Sequence, residues 1–196
     1  MKTVFIGGSR SITRLNDTIR SRVYNIMRQR FAIVIGDANG ADKAVQSYLA
    51  EKAYPNVIVY CMGDHCRNNV GSWPVEQIYA DNQVKDFAYY TTKDAKMAQV
   101  ASCGFMIWDG KSKGTLNNVL NLLQLQKNIL VYFSPDKSCY KLKSSKDLTT
   151  LLKKCSIDMR EMFKLRNLQK RKHVIKGDPE DLVHITWDKE RNLDLL

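Results

Sequence analysis

Short apolar runs alternate with helix-patterned segments along this chain, and three of the runs end in a glycine turn. That alternation limits the possible folds more than any other feature. Thr3-Val4-Phe5-Ile6 leads into Gly7-Gly8-Ser9-Arg10, and Ala32-Ile33-Val34-Ile35 leads into Gly36-Asp37-Ala38-Asn39-Gly40-Ala41-Asp42. Gly104-Phe105-Met106-Ile107-Trp108 leads into Asp109-Gly110-Lys111-Ser112-Lys113-Gly114-Thr115. Apolar runs without polar alternation read as strands covered on both faces. Residues 57–60 and 128–133 add two more. Between the runs, Leu15, Ile19, Val23 and Ile26 form a helical stripe; Ala44, Val45, Tyr48 and Leu49 form a second, and Leu116, Val119, Leu120, Leu122 and Leu123 a third. The pattern predicts an α/β fold: an open parallel sheet with helices on both faces.

The remaining segments are less regular. Residues 61–79 contain Arg67-Asn68-Asn69, Gly71, Trp73 and Pro74 and read as a long loop with one short helix. Residues 87–90 read as a short strand and 92–102 as a helix. Residues 136–157 read as a turn leading to a helix on Leu148, Leu151 and Leu152, 160–172 as a basic helix, and 177–196 as extended. The expected organisation is a parallel α/β domain over residues 1–135 and a helical, basic-then-acidic C-terminal extension over 136–196.

The formal net charge is +11. Residues 160–176 carry seven basic side chains and one acidic, and 177–196 carry two basic and six acidic. The basic segment is either a solvated face, a partner for the acidic one, or a nucleic-acid contact. No apolar run approaches the roughly 20 residues that span a bilayer, so no membrane association is expected. The five cysteines, Cys61, Cys66, Cys103, Cys139 and Cys155, are odd in number and lack C-x-x-C spacing. They read as thiols of a cytoplasmic protein. His65, His173 and His184 have no metal-ligand spacing, so neither a metal nor a cofactor is expected.

In an open parallel sheet, ligands bind beyond the C-terminal ends of the strands, which is where all three glycine turns fall. A strand, a Gly/Ser/Lys loop and a helix in succession offer backbone N–H groups and a helix dipole to an anion. Expected phosphate contacts are Gly7, Gly8, Ser9 and Arg10 in the first turn, and Gly110, Lys111, Ser112, Gly114 and Thr115 in the third. Four aspartates, Asp37, Asp42, Asp94 and Asp109, lie on the same edge. Each suits a turn brace or helix cap, the commoner role of a turn aspartate, or a catalytic carboxylate. Arg67 and Asn68 suit a ligand cover. Trp73 suits a mobile stacking residue, and Trp108 a core position or a stacking one.

Four segments together resemble the SLOG superfamily, a Rossmann-like group that includes the LOG phosphoribohydrolases and DNA-processing protein A. Residues 4–10 resemble the LOG opening strand and Gly-Ser turn. Residues 36–42 resemble the Gly-x-Ala-x-Gly-x-Asp turn of the DNA-processing proteins. Lys93-Asp94-Ala95-Lys96-Met97 stands where LOG enzymes have Arg-Lys-x-x-Met, and residues 109–115 stand where they have Pro-Gly-Gly-x-Gly-Thr. The likeness spans about residues 2–133. It implies ligand contacts at Gly36, Asp37, Gly40, Lys93 and Asn118 as well. Asn118 replaces the family's glutamate and is no general base, and Lys93 lacks arginine's bidentate fork.

The first expectation is therefore a sensor or sink that binds a nucleotide or nucleotide-sugar, including an ADP-ribose-type signal. The alternative is an N-glycosidase, phosphoribohydrolase or deoxyribosyltransferase acting on nucleoside 5′-monophosphates through Asp42, Asp94 or Asp109. The third is nucleic-acid binding through the basic tail. Homo-oligomerisation is expected because related folds commonly dimerise through helices that flank the site.

Overall fold

The computed structural model describes residues 1–79, 87–161 and 163–164. Seven strands form one sheet: β1 (Thr3–Gly8), β2 (Ala32–Gly36), β3 (Val57–Met62), β4 (Val75–Ile78), β5 (Cys103–Trp108), β6 (Asn128–Phe133) and β7 (Ser138–Leu142). Their order is β4-β3-β2-β1-β5-β6-β7. All pairings are parallel except β6 with β7. Among the helices that accompany them in the described residues are α1 (Asp17–Arg28), α2 (Ala41–Glu51), α3 (Phe87–Val100), α4 (Lys113–Gln124) and α5 (Ser145–Leu152).

Strand alternation divides the core into two layers. Val4, Ile6, Ile33, Ile35, Phe105 and Ile107 pack with Ile19, Val23 and Ile26 of α1 and Val45 and Leu49 of α2. Phe5, Val34, Met106 and Trp108 face the other way, against Met97 of α3 and Leu116, Val119 and Leu122 of α4. Because α1 and α2 lie on one face and α3 and α4 on the other, the strand order reverses between β1 and β5. The turns after these two strands therefore border a shared crevice. Local signals set the helix starts. Asn16 accepts from Ile19 N at 3.0 Å before α1, and Ser144 and Asp147 form a capping box before α5.

Several expectations are corrected. Residues 87–100 form one helix, not a strand followed by a helix. The segment 61–79 contains strand β4, which only tertiary pairing with β3 supports, since Val75-Glu76-Gln77-Ile78 has little apolar character. Strand β7 extends the sheet, and Leu148, Leu151, Leu152, Cys155, Met159 and Phe163 join the layer that holds Trp108 and Phe133. Cys61 and Cys66 are joined as a disulfide, their Cα atoms 5.2 Å apart, which corrects the reading of all five cysteines as thiols. Most of the basic segment 160–176 and all of 177–196 lie outside the described residues. Among the described residues, no helix is long and apolar enough to cross a membrane.

Candidate functional site

A cleft of about 510 Å³ opens at the C-terminal ends of the central strands. Its walls come from the end of β1 (Gly7, Gly8), where the expected glycine turn is the last pair of strand residues, from Arg10 just beyond it, from the first turn of α4 (Ser112, Gly114, Thr115) and from Asn118 one turn further on. Asp42, Arg67, Lys93 and Asp94 line it as well. The fold thus brings together eleven of the expected site residues from five separate stretches of chain. Lys113, expected to add charge to the third turn, also lines it, as do five residues not singled out as ligand contacts: Phe5, Ala38, Tyr90, Thr91 and Met97. Ala38 was legible as part of the second glycine turn. Tyr90 and Thr91 were not, because the segment was expected to be a strand.

The floor carries a charged cluster. Lys93 Nζ is 2.9 Å from Asp94 Oδ1 and 3.9 Å from Asp37 Oδ1, and its side chain is only 5% exposed. Burial alone would lower the Lys93 ammonium, yet Asp94, Asp42 and Asp37 together hold it above its ordinary value. Asp42, in the first turn of α2, accepts from Gly8 N at 3.2 Å and so ties the second turn to the first. Burial raises its carboxyl to about 7, against the attraction of Lys93. A carboxyl poised near neutrality inside a cleft suits proton transfer or hydrogen-bond donation. Gly36 makes the arrangement possible. A Cβ there would lie 2.7 Å from Asp42 Oδ2 and 2.9 Å from Lys93 Nζ.

Asp37 binds Arg67 rather than lining the cleft. Arg67 donates from Nη2 to Oδ1 at 2.6 Å, from Nε to Oδ2 at 3.0 Å and from its backbone N to Oδ2 at 3.1 Å. Burial opposes ionisation of Asp37, but these bonds and the nearby Lys93 hold its carboxyl below the ordinary value. The Arg67 guanidinium lies over the Tyr90 ring, 5.0 Å from its centroid. Asn68 donates to Asp37 O at 2.8 Å and Asn39 Oδ1 at 3.0 Å, which fixes the loop that carries Arg67. It is a brace rather than a cleft wall.

The third turn is braced from within. Asp109 accepts from Ser9 Oγ (2.9 Å), Ser11 Oγ (2.6 Å), Lys111 N (2.9 Å) and Ser112 N (2.8 Å). Two of the amides expected to cradle phosphate are therefore already taken by a carboxylate of the chain itself. Burial works against the charge of Asp109, yet these donors hold its carboxyl below the ordinary value. Asp109, Ser9, Gly110 and Lys111 support the cleft wall without belonging to it. Ser9 is fully buried and also meets Thr115 Oγ1 at 3.3 Å. Gly40 is likewise a support: its φ of +85° lets the second turn press against the backbone of Arg10. What the first turn of α4 offers the cleft is its Lys113–Thr115 edge, capped by Ser112, whose Oγ accepts from Thr115 N at 3.3 Å.

Asn118 Oδ1 is buried and without a partner among the described residues. Trp73 is no mobile stacking residue: it is buried and donates from Nε1 to Tyr54 O at 2.8 Å. Trp108 is fully buried, at its core position.

No family model and no curated protein matches the chain. Among solved structures, it is similar to DNA processing protein A from Helicobacter pylori, with 15% identity and a TM-score of 0.55 over 87% of this chain and 81% of that one. It is also similar to DNA processing protein A from Streptococcus pneumoniae, with 14% identity and a TM-score of 0.47 over 66% of this chain and 50% of that one. The Helicobacter structure is described for a single-stranded DNA binding mode. The likeness to it shows the fold, which is the Rossmann-like one that the sequence resemblance implied.

Proposed function

We propose that the cleft binds a phosphorylated nucleotide unit. Its phosphate would rest on the Gly7-Gly8 end of β1, Arg10 and the Lys113–Thr115 edge of α4. The observation that carries this reading is the convergence of a glycine strand end and a helix N-terminus on one cleft at the strand-order reversal. A phosphate there would meet exposed cations at Arg10 and Lys113, whereas Arg67 and Lys93 are already paired with aspartates.

The unit has two candidate sources. Single-stranded nucleic acid is the one that the comparisons support better, because the protein of like fold binds it. A net charge of +11 favours a polyanion as well. The cleft volume favours a free nucleotide or nucleotide-sugar, since about 510 Å³ is the size of a small-molecule pocket. Fluorescence anisotropy with a labelled single-stranded oligonucleotide, across a salt series, separates the two. A strand ligand gives an affinity that falls steeply with salt. A free-nucleotide ligand gives saturable calorimetric binding of AMP, NAD or ADP-ribose and no oligonucleotide binding. If the chain binds neither, the reading falls.

The hydrolytic alternative keeps two carboxylates on the cleft, Asp42 and Asp94. It is supported by the near-neutral titration of Asp42. Release of free base from a nucleoside 5′-monophosphate, abolished in Asp42→Asn, would establish it. Intact nucleotide after prolonged incubation would exclude it.

A further inference from the structure

We propose that Arg67 and Tyr90 form a stacking platform for the nucleobase of the ligand, on the cleft wall away from the phosphate-binding turns. This inference rests on the nucleotide reading above and assigns the second half of the ligand. Arg67 was expected to cover the ligand, and its pairing rules out a cover that grips phosphate. Both Nε and Nη2 are bound to Asp37, at 3.0 and 2.6 Å, so the in-plane fork that would grip a phosphate is occupied. The Asp37 side chain is 3% exposed, so this partner is not displaced by solvent.

What Arg67 offers is its plane. Its Cζ lies over the Tyr90 ring, 5.0 Å from the centroid, and the side chain remains 38% exposed at the cleft. A guanidinium held edge-on by a carboxylate and backed by a phenol is a flat, delocalised surface with little freedom left to lose on binding. Nucleobases stack on such surfaces because every base has a π-face and the cation adds attraction. Position agrees with this role. Arg67 is carried by the loop between β3 and β4 and Tyr90 by α3, whereas the phosphate-binding turns follow β1 and β5. A ligand spanning the cleft therefore meets hydrogen-bond donors from one set of elements and a planar platform from the other.

The test uses the full chain with three probes: ethenoadenosine monophosphate, whose fluorescent base reports stacking, an ethenoadenosine-containing oligonucleotide, and ribose 5-phosphate, which has no base. Wild-type protein quenches the etheno base of the monophosphate or of the oligonucleotide, according to the source of the unit. Tyr90→Ala weakens that binding by about tenfold, and Tyr90→Phe retains it. Arg67→Lys keeps the charge facing Asp37 but loses the plane, and is expected to weaken it similarly. Ribose 5-phosphate, measured by calorimetry, binds wild type and Tyr90→Ala alike. A Tyr90→Ala protein that melts as wild type does and keeps its etheno affinity within about twofold overturns the platform while leaving the phosphate site standing. If wild type binds none of the three probes, the nucleotide reading fails, and the platform with it.

Discussion

The Asp37 carboxylate holds the Arg67 guanidinium through both of its oxygens, with Nη2 2.6 Å from Oδ1 and Nε 3.0 Å from Oδ2. The pair spans 30 residues and joins the turn after β2 to the loop before β4. Its two halves are unequal, because Asp37 is buried while Arg67 reaches solvent. Arg67→Met would leave a buried carboxylate without its main partner and is expected to cost about 2 kcal/mol. Asp37→Asn leaves a cation that can turn to water and should cost about 1 kcal/mol. Urea unfolding of both variants checks the order. An Asp37→Asn protein less stable than Arg67→Met would mean that Asp37 is held chiefly by Lys93.

Asp109 braces the third turn through four donors. Asp109→Asn is expected to destabilise by about 1–2 kcal/mol at pH 7. Its carboxyl is held below the ordinary value, so its contribution is present above the unfolded-state pKa and is lost as pH falls through the folded-state one. The melting-temperature gap between wild type and variant should therefore narrow progressively as pH falls below about 4. A gap that does not narrow with falling pH would mean that the amide itself packs badly.

Asp42 gives the opposite slope. Its carboxyl titrates near 7 when folded and near 3.8 as a free side chain, so between these values the folded protein holds a proton that the unfolded chain has released. Stability from this group therefore falls as pH rises from about 4 to 7. Asp42→Asn should flatten that fall. Chemical denaturation of both proteins at pH 5, 6, 7 and 8 measures it. Parallel curves would show that Asp42 is ionised throughout, stabilised by Lys93.

Gly36→Ala places a methyl group 2.7 Å from Asp42 Oδ2 and 2.9 Å from Lys93 Nζ. Relieving that contact must displace one or both charged groups from the cleft floor. A cost of about 1–3 kcal/mol is expected, together with a shift in the pKa of Asp42. Carbonyl-region NMR titration of Asp42 in the two proteins reads the shift directly. An unchanged titration would mean that the cluster moves as a unit.

Much of the fold was legible because its signals are local. Residues 3–8, 32–36 and 103–108 are apolar enough that only a doubly covered strand satisfies them, and the stripes of α1 and α4 repeat at helical spacing. Strands β4 and β7 were missed for the converse reason. Val75-Glu76-Gln77-Ile78 and Ser138-Cys139-Tyr140-Lys141-Leu142 lie at the two edges of the sheet, where a strand needs little apolar character of its own. Helix α3 begins with Phe87-Ala88-Tyr89-Tyr90, whose aromatic residues resemble a strand when read alone.

The sequence by itself determined which turns reach the ligand edge, since each glycine turn follows a buried strand and strand direction is set by the crossover rule. It also determined the kinds of group present there: small residues, hydroxyls, cations and four aspartates. Only the tertiary structure decided how those groups are used. Asp37 faces Arg67, Asp109 faces its own loop, and Asp42 and Asp94 line the cleft, with Lys93 paired to Asp94. The physical reason is that an aspartate's role depends on which donors lie within about 3 Å of it. Those donors come from residues up to 100 positions away in the chain.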